Sequence, residues 1–470
     1  MRFNSKFWSP FAASILLLSV SCSKEKEVEE EVKTTFTGEK SEMKLLTLDP
    51  GHFHAHLVLK SMYEQVDPKV QVYAPEGPEL QAYLKAIESF NTRQDTPTSW
   101  DLEVYQGDDF LQKMLDEKKG NVMITAGNNR EKTANIKATL EEGINVLADK
   151  PMAIDAKGFE ILKEAFDVAK QNDVLLFDIM TERFEISTIL QREFSLIPEV
   201  FGQLVKGTVE DPAITKESIH HFYKQVSGKP LIRPAWFYDV NQQGNGIVDV
   251  TTHLVDLVQW ESFPGKIIDY TKDIEMINAR RWTTDLTLEE FSGSTGLSEF
   301  PDYLQPIVED GLLKVYGNGE INYKINDVHA KVSVIWNYKA PEGSADTHYS
   351  IMRGTKANLV IRQDAEENYT PELYIEPVEG QDLAEFEANV TKHVNELANN
   401  FKDLDVTKVD GKDSWRIVIP QAFRTGHEDH FREVTETYLN YLVEGKLPDW
   451  EVPNMLAKYY VTTQGLELAK

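Results

Sequence analysis

The sequence predicts a two-domain α/β protein: a Rossmann-like, doubly wound parallel sheet at about 43–180, then an α+β domain with a mostly antiparallel sheet at 181–470. Three observations predict it. Apolar strands alternate with helices of about a dozen residues as far as Asp178, the spacing of right-handed βαβ units. Beyond Thr181, stretches rich in Val, Ile, Tyr and Trp dominate, as pleated half-buried surfaces require. The chain has 470 residues, more than the roughly 250–300 that one core sustains.

In the first domain, residues 44–48, 70–74, 103–105, 121–126, 144–148 and 174–178 read as strands, short apolar runs bounded by turn residues. Residues 57–62, 80–90, 110–118, 131–142 and 159–172 carry apolar positions at helical period. In the second domain, strands are expected at 201–209, 266–277, 311–325, 329–336, 348–352 and 358–361. Helices are expected at 186–194, 247–260, 383–397, 428–442 and 455–468, the last packed back on the first domain. No internal repeat is present.

The formal charge of −28 argues against nucleic acid or an anionic membrane surface as partner. The first residues read as an address. Arg2 and Lys6 precede an apolar core at 11–20, too short to span a bilayer, and Ser21-Cys22 follows. Residues 1–22 therefore read as a lipoprotein signal peptide resembling a loose lipobox, with Cys22, the chain's only cysteine, as the lipidation site. Residues 23–42 read as a charged, disordered tether. The expected location is the envelope of a Gram-negative bacterium, periplasmic or on the outer surface, held by a lipid anchor.

Two segments carry chemistry. Residues 144–148 run into Asp149-Lys150-Pro151, so a lysine stands at the carboxyl end of a strand, where open α/β sheets place their ligand crevice. Gly244-Asn245-Gly246 then leads into a helix with Asp249 and His253 four positions apart, on one face. A carboxylate beside an imidazole can fix its tautomer and raise its basicity. Taken singly, each has a plain reading as a surface lysine or a satisfied Asp–His pair.

Together, the Asp-Lys-Pro strand end and the glycine-led Asp249-x-x-x-His253-x-x-Asp256 helix resemble the glucose–fructose oxidoreductase / inositol dehydrogenase (Gfo/Idh/MocA) family. Thr181-Glu182-Arg183-Phe184, Arg233-Pro234-Ala235-Trp236-Phe237 and Met352-Arg353-Gly354-Thr355-Lys356-Ala357 look like its landmarks. Asp149 stands where the family has glutamate, and Asn245 and Thr251 where it has glycine. The resemblance implies that Lys150 touches the nicotinamide ribose and a substrate hydroxyl, that His253 is the acid–base, and that Asp249 binds substrate and assists. It implies a sugar or glycoside substrate, tightly bound NAD or NADP, and a homo-oligomer.

The expected phosphate loop departs from Gly-x-Gly-x-x-Gly. Asp49-Pro50-Gly51-His52-Phe53-His54 keeps Gly51 alone, and Asp49 repels phosphate. The cofactor candidates are Gly51, His52, Phe53, His54, Glu76, Asn128, Asp149 and Lys150, with Glu76 placed to bind ribose hydroxyls and favour NAD. A competing reading uses His52, His54 and His56, with Asp178, as ligands for Zn or Mn. His427-Glu428-Asp429-His430 suggests a ligand pair, but it lacks the His-Glu-x-x-His spacing and reads rather as a solvated helix start. Free NAD is not expected outside the cytoplasm, so a sugar hydrolase or lyase on the same fold using a metal, and a sugar-binding lipoprotein, stay open beside the oxidoreductase.

Overall fold

Every residue of the strands β1 Leu45–Leu48, β4 Val122–Thr125, β5 Asn145–Asp149 and β6 Leu176–Ile179 is buried, which is why their apolar runs are continuous rather than alternating. The structure is a computed structural model and describes residues 36–226 and 229–469. The expected signal segment, Cys22 and the tether as far as residue 35 lie outside the described residues. With β2 Lys69–Ala74 and β3 Asp101–Gln106 these strands form a parallel six-stranded sheet in the order β3-β2-β1-β4-β5-β6. The order reverses at β1, so the ligand crevice opens over the carboxyl ends of β1 and β4. The edge strand β3 is mostly exposed, a charged margin that discourages further pairing.

The helices α1 His54–Leu57, α2 Pro78–Thr92, α3 Phe110–Glu117, α4 Lys132–Glu141 and α5 Ala156–Asn172 connect these strands. Pro78 opens α2 where its missing N–H costs nothing. Asp155 caps α5 by accepting from the Gly158 N–H.

The second half runs α6 Ile186–Ser195, β7 Ile214–Tyr223, the small pair β8 Gln225–Val226 and β9 Lys229–Pro230, α7 Thr251–Ser262, β10 Ile274–Leu286, α8 Leu288–Thr295 and β11 Val308–Glu309. It continues with β12 Leu312–Ile325, β13 Val328–Lys339, β14 Thr347–Arg353, β15 Ala357–Gln363, β16 Glu372–Pro377, α9 Leu383–Leu397, β17 Asp405–Lys408, β18 Trp415–Val418, α10 His427–Glu444 and α11 Glu451–Leu468. One sheet runs β10-β12-β13-β7-β14-β15-β16-β18-β17, with β11 on β12. Its ladders are antiparallel apart from the β13–β7 pair.

Some expectations need correction. Residues 201–209 are not a strand: Gly202 and Gly207 adopt φ of 77° and 65°, and pairing is limited to isolated bridges. The strand forms after Pro212, as β7. Helix α7 begins at Thr251, not at residue 247, because Gly246 lies against β12, where a Cβ would come within 1.7 Å of the Gly317 carbonyl oxygen. Strand β10 starts at Ile274, after a turn held by Asp269 and Asp273.

The last two helices divide their work. Phe431, Val434, Tyr438, Leu439 and Leu442 of α10 join the core of the first sheet, so residues far along the chain complete the first domain. Helix α11 packs chiefly on α7 and β10, and on α5 besides. Between them lies a buried ion network. The Arg183 guanidinium donates twice to Asp256 at 2.7 Å and once to Glu451 at 2.8 Å. Lys458 Nζ lies 2.7 Å from Asp178 and 2.9 Å from Asp256. No helix among the described residues is long and apolar enough to cross a membrane.

Candidate active site

Strand β5 delivers Asp149 and Lys150 to the sheet's carboxyl edge, and the Lys150–Pro151 peptide bond is cis. Lys150 Nζ donates to Asp249 Oδ1 at 2.6 Å, both side chains nearly sealed from solvent. Burial works against the Asp249 charge, but the Lys150 ammonium outweighs it and holds the carboxyl below its ordinary range. Asp249 is thus spent on the lysine rather than on orienting His253. His253, in the first turn of α7, is 9 % exposed, and its Nδ1 has no hydrogen-bond partner. Burial, then the Lys150 charge, push its pKa down to about 4. At neutral pH it is an uncharged base with a free ring nitrogen.

The loop after β4 fixes this geometry. Asn128 Nδ2 donates to Gln242 Oε1 at 2.7 Å, the Asn129 N–H to the Gln242 carbonyl at 2.9 Å, and Asn129 Nδ2 to the Gln243 carbonyl at 2.8 Å. The segment leading to Asp249 is therefore tied to the first sheet.

The histidines of the first loop sit beside the lysine. His54 Nδ1 lies 3.0 Å and His52 Nδ1 3.6 Å from Asp149 Oδ2. Burial keeps His54 well below the ordinary imidazole range, so a neutral His54 donates to an ionised Asp149. Burial opposes the Asp149 charge as well; His54, His52 and Lys132 overcome it and hold that carboxyl well below its usual range. Lys132, at the start of α4, is fully enclosed, donates to the Asp149 carbonyl at 3.2 Å, and is brought by burial to about 8.

Next to this cluster a cleft of about 330 Å³ opens over the carboxyl ends of β1, β2 and β4, lined by Asp49, Gly51, Glu76, Asn128, Arg130 and Trp236 among others. Gly127 lets two loops close there: a Cβ would sit 2.1 Å from the Asp49 carbonyl oxygen. The residues fit a dinucleotide. Glu76 is exposed at the end of β2 for ribose hydroxyls, and Gly51 presents open backbone, its nearest neighbours to a Cβ at 3.5 Å. The loop amides are partly consumed, however: the Gly51 N–H donates to Asp49 and the His52 N–H to Ala126. Burial lifts Asp49 to about 6, which relieves part of its repulsion, and Arg130 supplies the cleft's cation.

The metal alternative is redrawn. Ligand atoms of His52, His54 and Asp149 lie within 4.8 Å of one another. His56 does not join them; its ring packs against Phe90 and Phe53. Asp178 is fully buried, paired with Lys458 and accepting from the Tyr459 hydroxyl at 3.0 Å, so it has no place in a metal shell. Phe53 packs between His52, His54 and His56 as an aromatic spacer.

Other groups facing the site come from segments whose sequence gives no local signal. His220 stacks on Trp336 with ring centroids 5.1 Å apart and lies in the field of Lys150. Asp346 gathers His220 at 3.2 Å, His221 at 2.9 Å and Lys224. His348, opposite Ser218 on β7, is brought by burial to about 4. His427, expected at a solvated helix start, lies 3.6 Å from Glu182, its ring 5.7 Å from that of His54.

A six-stranded dinucleotide-type domain joined to a large open sheet, with a lysine, an aspartate and a histidine at their junction, defines a two-domain oxidoreductase class. The chain belongs to that class by comparison too. Residues 190–470 match the family model described as "Putative oxidoreductase C terminal domain", and the chain is a member of this Gfo/Idh/MocA-type oxidoreductase family. It is 59% identical to an oxidoreductase-described protein of Parabacteroides merdae solved by crystallography, over 93% of this chain and 99% of that one, with a TM-score of 0.91. Its fold is similar to levoglucosan dehydrogenase in complex with NADH and L-sorbose: 13% identity, 91% and 96% of the two chains, TM-score 0.58. It is also similar to KijD10, a 3-ketoreductase from Actinomadura kijaniata in complex with NADP: 12% identity, 89% and 96%, TM-score 0.54. No curated protein sequence matches it.

Proposed function

We propose that the protein oxidises a secondary hydroxyl of a sugar or glycoside, or reduces the matching ketone, with a tightly held NAD(H). The observation that carries this is the Lys150–Asp249 pair at 2.6 Å beside a buried, uncharged His253 with an unpartnered Nδ1. A bound nicotinamide would accept or return the hydride. The chain's own residues do the rest. His253, held uncharged by burial, takes the hydroxyl proton. Lys150, anchored by Asp249 and with ammonium hydrogens to spare, steadies the negative charge that grows on the substrate oxygen. Gly51, Asn128 and Glu76 would line the nucleotide, and Asp149 with His52 and His54 the nicotinamide end. The sugar assignment draws on the substrates named for the levoglucosan dehydrogenase and ketoreductase folds. Anchoring at Cys22 in a Gram-negative envelope, and assembly into a homo-oligomer, belong to the same reading.

A second reading has a specific observation behind it. His52, His54 and Asp149 could hold Zn or Mn, making the site one for metal-assisted hydrolysis or elimination on a sugar. One measurement decides between them: mass and absorbance of the small molecule released on denaturing the purified protein, with metal analysis of the same sample. Nicotinamide dinucleotide near one equivalent is expected. Stoichiometric Zn or Mn with no nucleotide would replace the first reading by the second.

A further inference from the structure

We propose that Trp236 and Arg130 form a side-chain gate through which the dinucleotide enters and leaves its cleft, a role that rests on the oxidoreductase reading above. At about 330 Å³ the cleft is at the small end of what drug-sized ligands occupy, and a dinucleotide is larger. Part of its wall must therefore move when the nucleotide is exchanged.

Most of that wall is fixed. Strands β1 and β4 beneath it are buried throughout, and the loops that follow them close at Gly127, where no Cβ would fit. On the other side runs the second-domain segment 236–243. Phe237 and Tyr238 root it in a core of that domain. Its turn holds itself, since the Asp239 carbonyl accepts from the Gln242 and Gln243 N–H groups, both at 2.8 Å. Asn128 and Asn129 staple the same turn to the loop after β4 through Gln242 and Gln243. Away from the cleft, the buried ion network of Arg183, Asp256, Glu451, Lys458 and Asp178 joins β6 to α7 and α11. Swinging one domain off the other would break those pairs and strand their charges.

Two side chains are left to move. Trp236 is half-buried, and among the described residues lining the cleft it is the one the second domain supplies. Its ring lies over Gly51, with Cζ2 3.5 Å from where a Cβ would stand. Arg130 lines the same cleft from the loop after β4 and is 50% exposed. Its Nη2 reaches Asp239 Oδ2 at 3.3 Å, a long contact that joins the two sides of the mouth. Asp239 also accepts from Asn241 and Gln242, at 2.9 to 3.0 Å. Releasing the arginine therefore strands no carboxylate, which lets this contact act as a latch. With it closed, the indole and the guanidinium keep the nucleotide in place from one turnover to the next, as an envelope location requires.

The test is the kinetics of nucleotide binding, read without turnover. NADH, or NADPH if that binds instead, is mixed with the nucleotide-free full chain in a stopped-flow fluorimeter and then displaced by excess oxidised nucleotide. Trp236→Ala and Arg130→Met should each raise both the association and the dissociation rate constant on the order of tenfold, so that Kd moves far less than either. Trp236→Phe serves if the alanine variant misfolds, as judged by its urea midpoint, and should give a smaller rise in both constants. Faster dissociation with association unchanged or slower would mark a lost phosphate contact and overturn the gate. Rates equal to the parent's in every variant overturn it as well. If neither nucleotide binds the parent, the oxidoreductase reading falls and takes the gate with it, a result distinct from binding at unchanged rates.

Discussion

Two of the buried lysine–carboxylate pairs in this molecule do opposite things. Lys216 and Glu261 meet at 2.8 Å with no exposure at all, and Gln191 and Ser350 complete the lysine's hydrogen bonds. Lys150 and Asp249 meet at 2.6 Å, with 9% and 6% of their side chains still exposed. The first pair is saturated and has no hydrogen left to offer a ligand. The second keeps ammonium hydrogens in reserve beside an imidazole with a free nitrogen. Saturation marks a structural ion pair, and a deliberate shortfall of partners marks a chemical one.

The largest effects should come from breaking each pair in turn. Lys216→Ala strands a fully buried carboxylate and should cost about 3–5 kcal/mol of stability, seen as a large fall in the urea midpoint. Lys150→Ala also strands a buried carboxylate, but Asp249 keeps Gln243 as a hydrogen-bond partner, so the midpoint should fall less while turnover falls roughly 10²–10⁴-fold. If the two variants lose stability equally, or if Lys150→Ala keeps its turnover, the distinction between the pairs collapses.

The same contrast explains what was readable in the sequence. Lys150, Asp249 and His253 stand on short local signatures, a strand end before a proline and a glycine-led helix start, so their chemistry is announced where it occurs. Strand β7 was not legible, because its run contains Lys216, Glu217, Ser218, His220 and His221. Those polar residues look like a loop until partners from α7 and from residues 346–350 satisfy them. The first sheet, by contrast, was legible in all but its exposed edge strand β3 from unbroken apolar runs, which burial on both faces leaves. His427 and Lys132 were missed for the same reason as β7. Packing alone brings a helix from the far end of the chain over His54, and a helix-start lysine under Asp149.

A middle-sized effect tests whether the site histidines are held neutral. In the fold His253 and His348 have been pushed down to about 4 from an ordinary 6.5, burial being the main cause. Between those values the unfolded chain binds protons that the folded chain refuses. Stability is therefore full above 6.5 and falls as the pH drops toward 4, by about 3 kcal/mol at most for each histidine. Urea unfolding at pH 7.5 and 4.5 measures the slope, and His348→Gln should remove its share. His253→Gln should remove its share likewise; a slope that neither substitution changes would mean that these imidazoles are charged in the fold, and His253 would then be no base.

The smallest effect concerns a carboxylate of a third kind. Glu76 is exposed at the end of β2, and among the described residues it has no ion-pair partner. Nothing structural depends on its charge, so Glu76→Gln should leave the urea midpoint unchanged. In the cleft, a carboxylate accepts from ribose hydroxyls and repels a 2′-phosphate. Losing the charge should therefore weaken NAD and strengthen NADP, shifting their ratio of dissociation constants on the order of tenfold, about 1.4 kcal/mol. Titrating nucleotide-free protein with each dinucleotide reads that ratio. A parent protein that already prefers NADP, or a ratio untouched by the substitution, would move the ribose away from Glu76 while leaving Lys150 and Asp249 where they are.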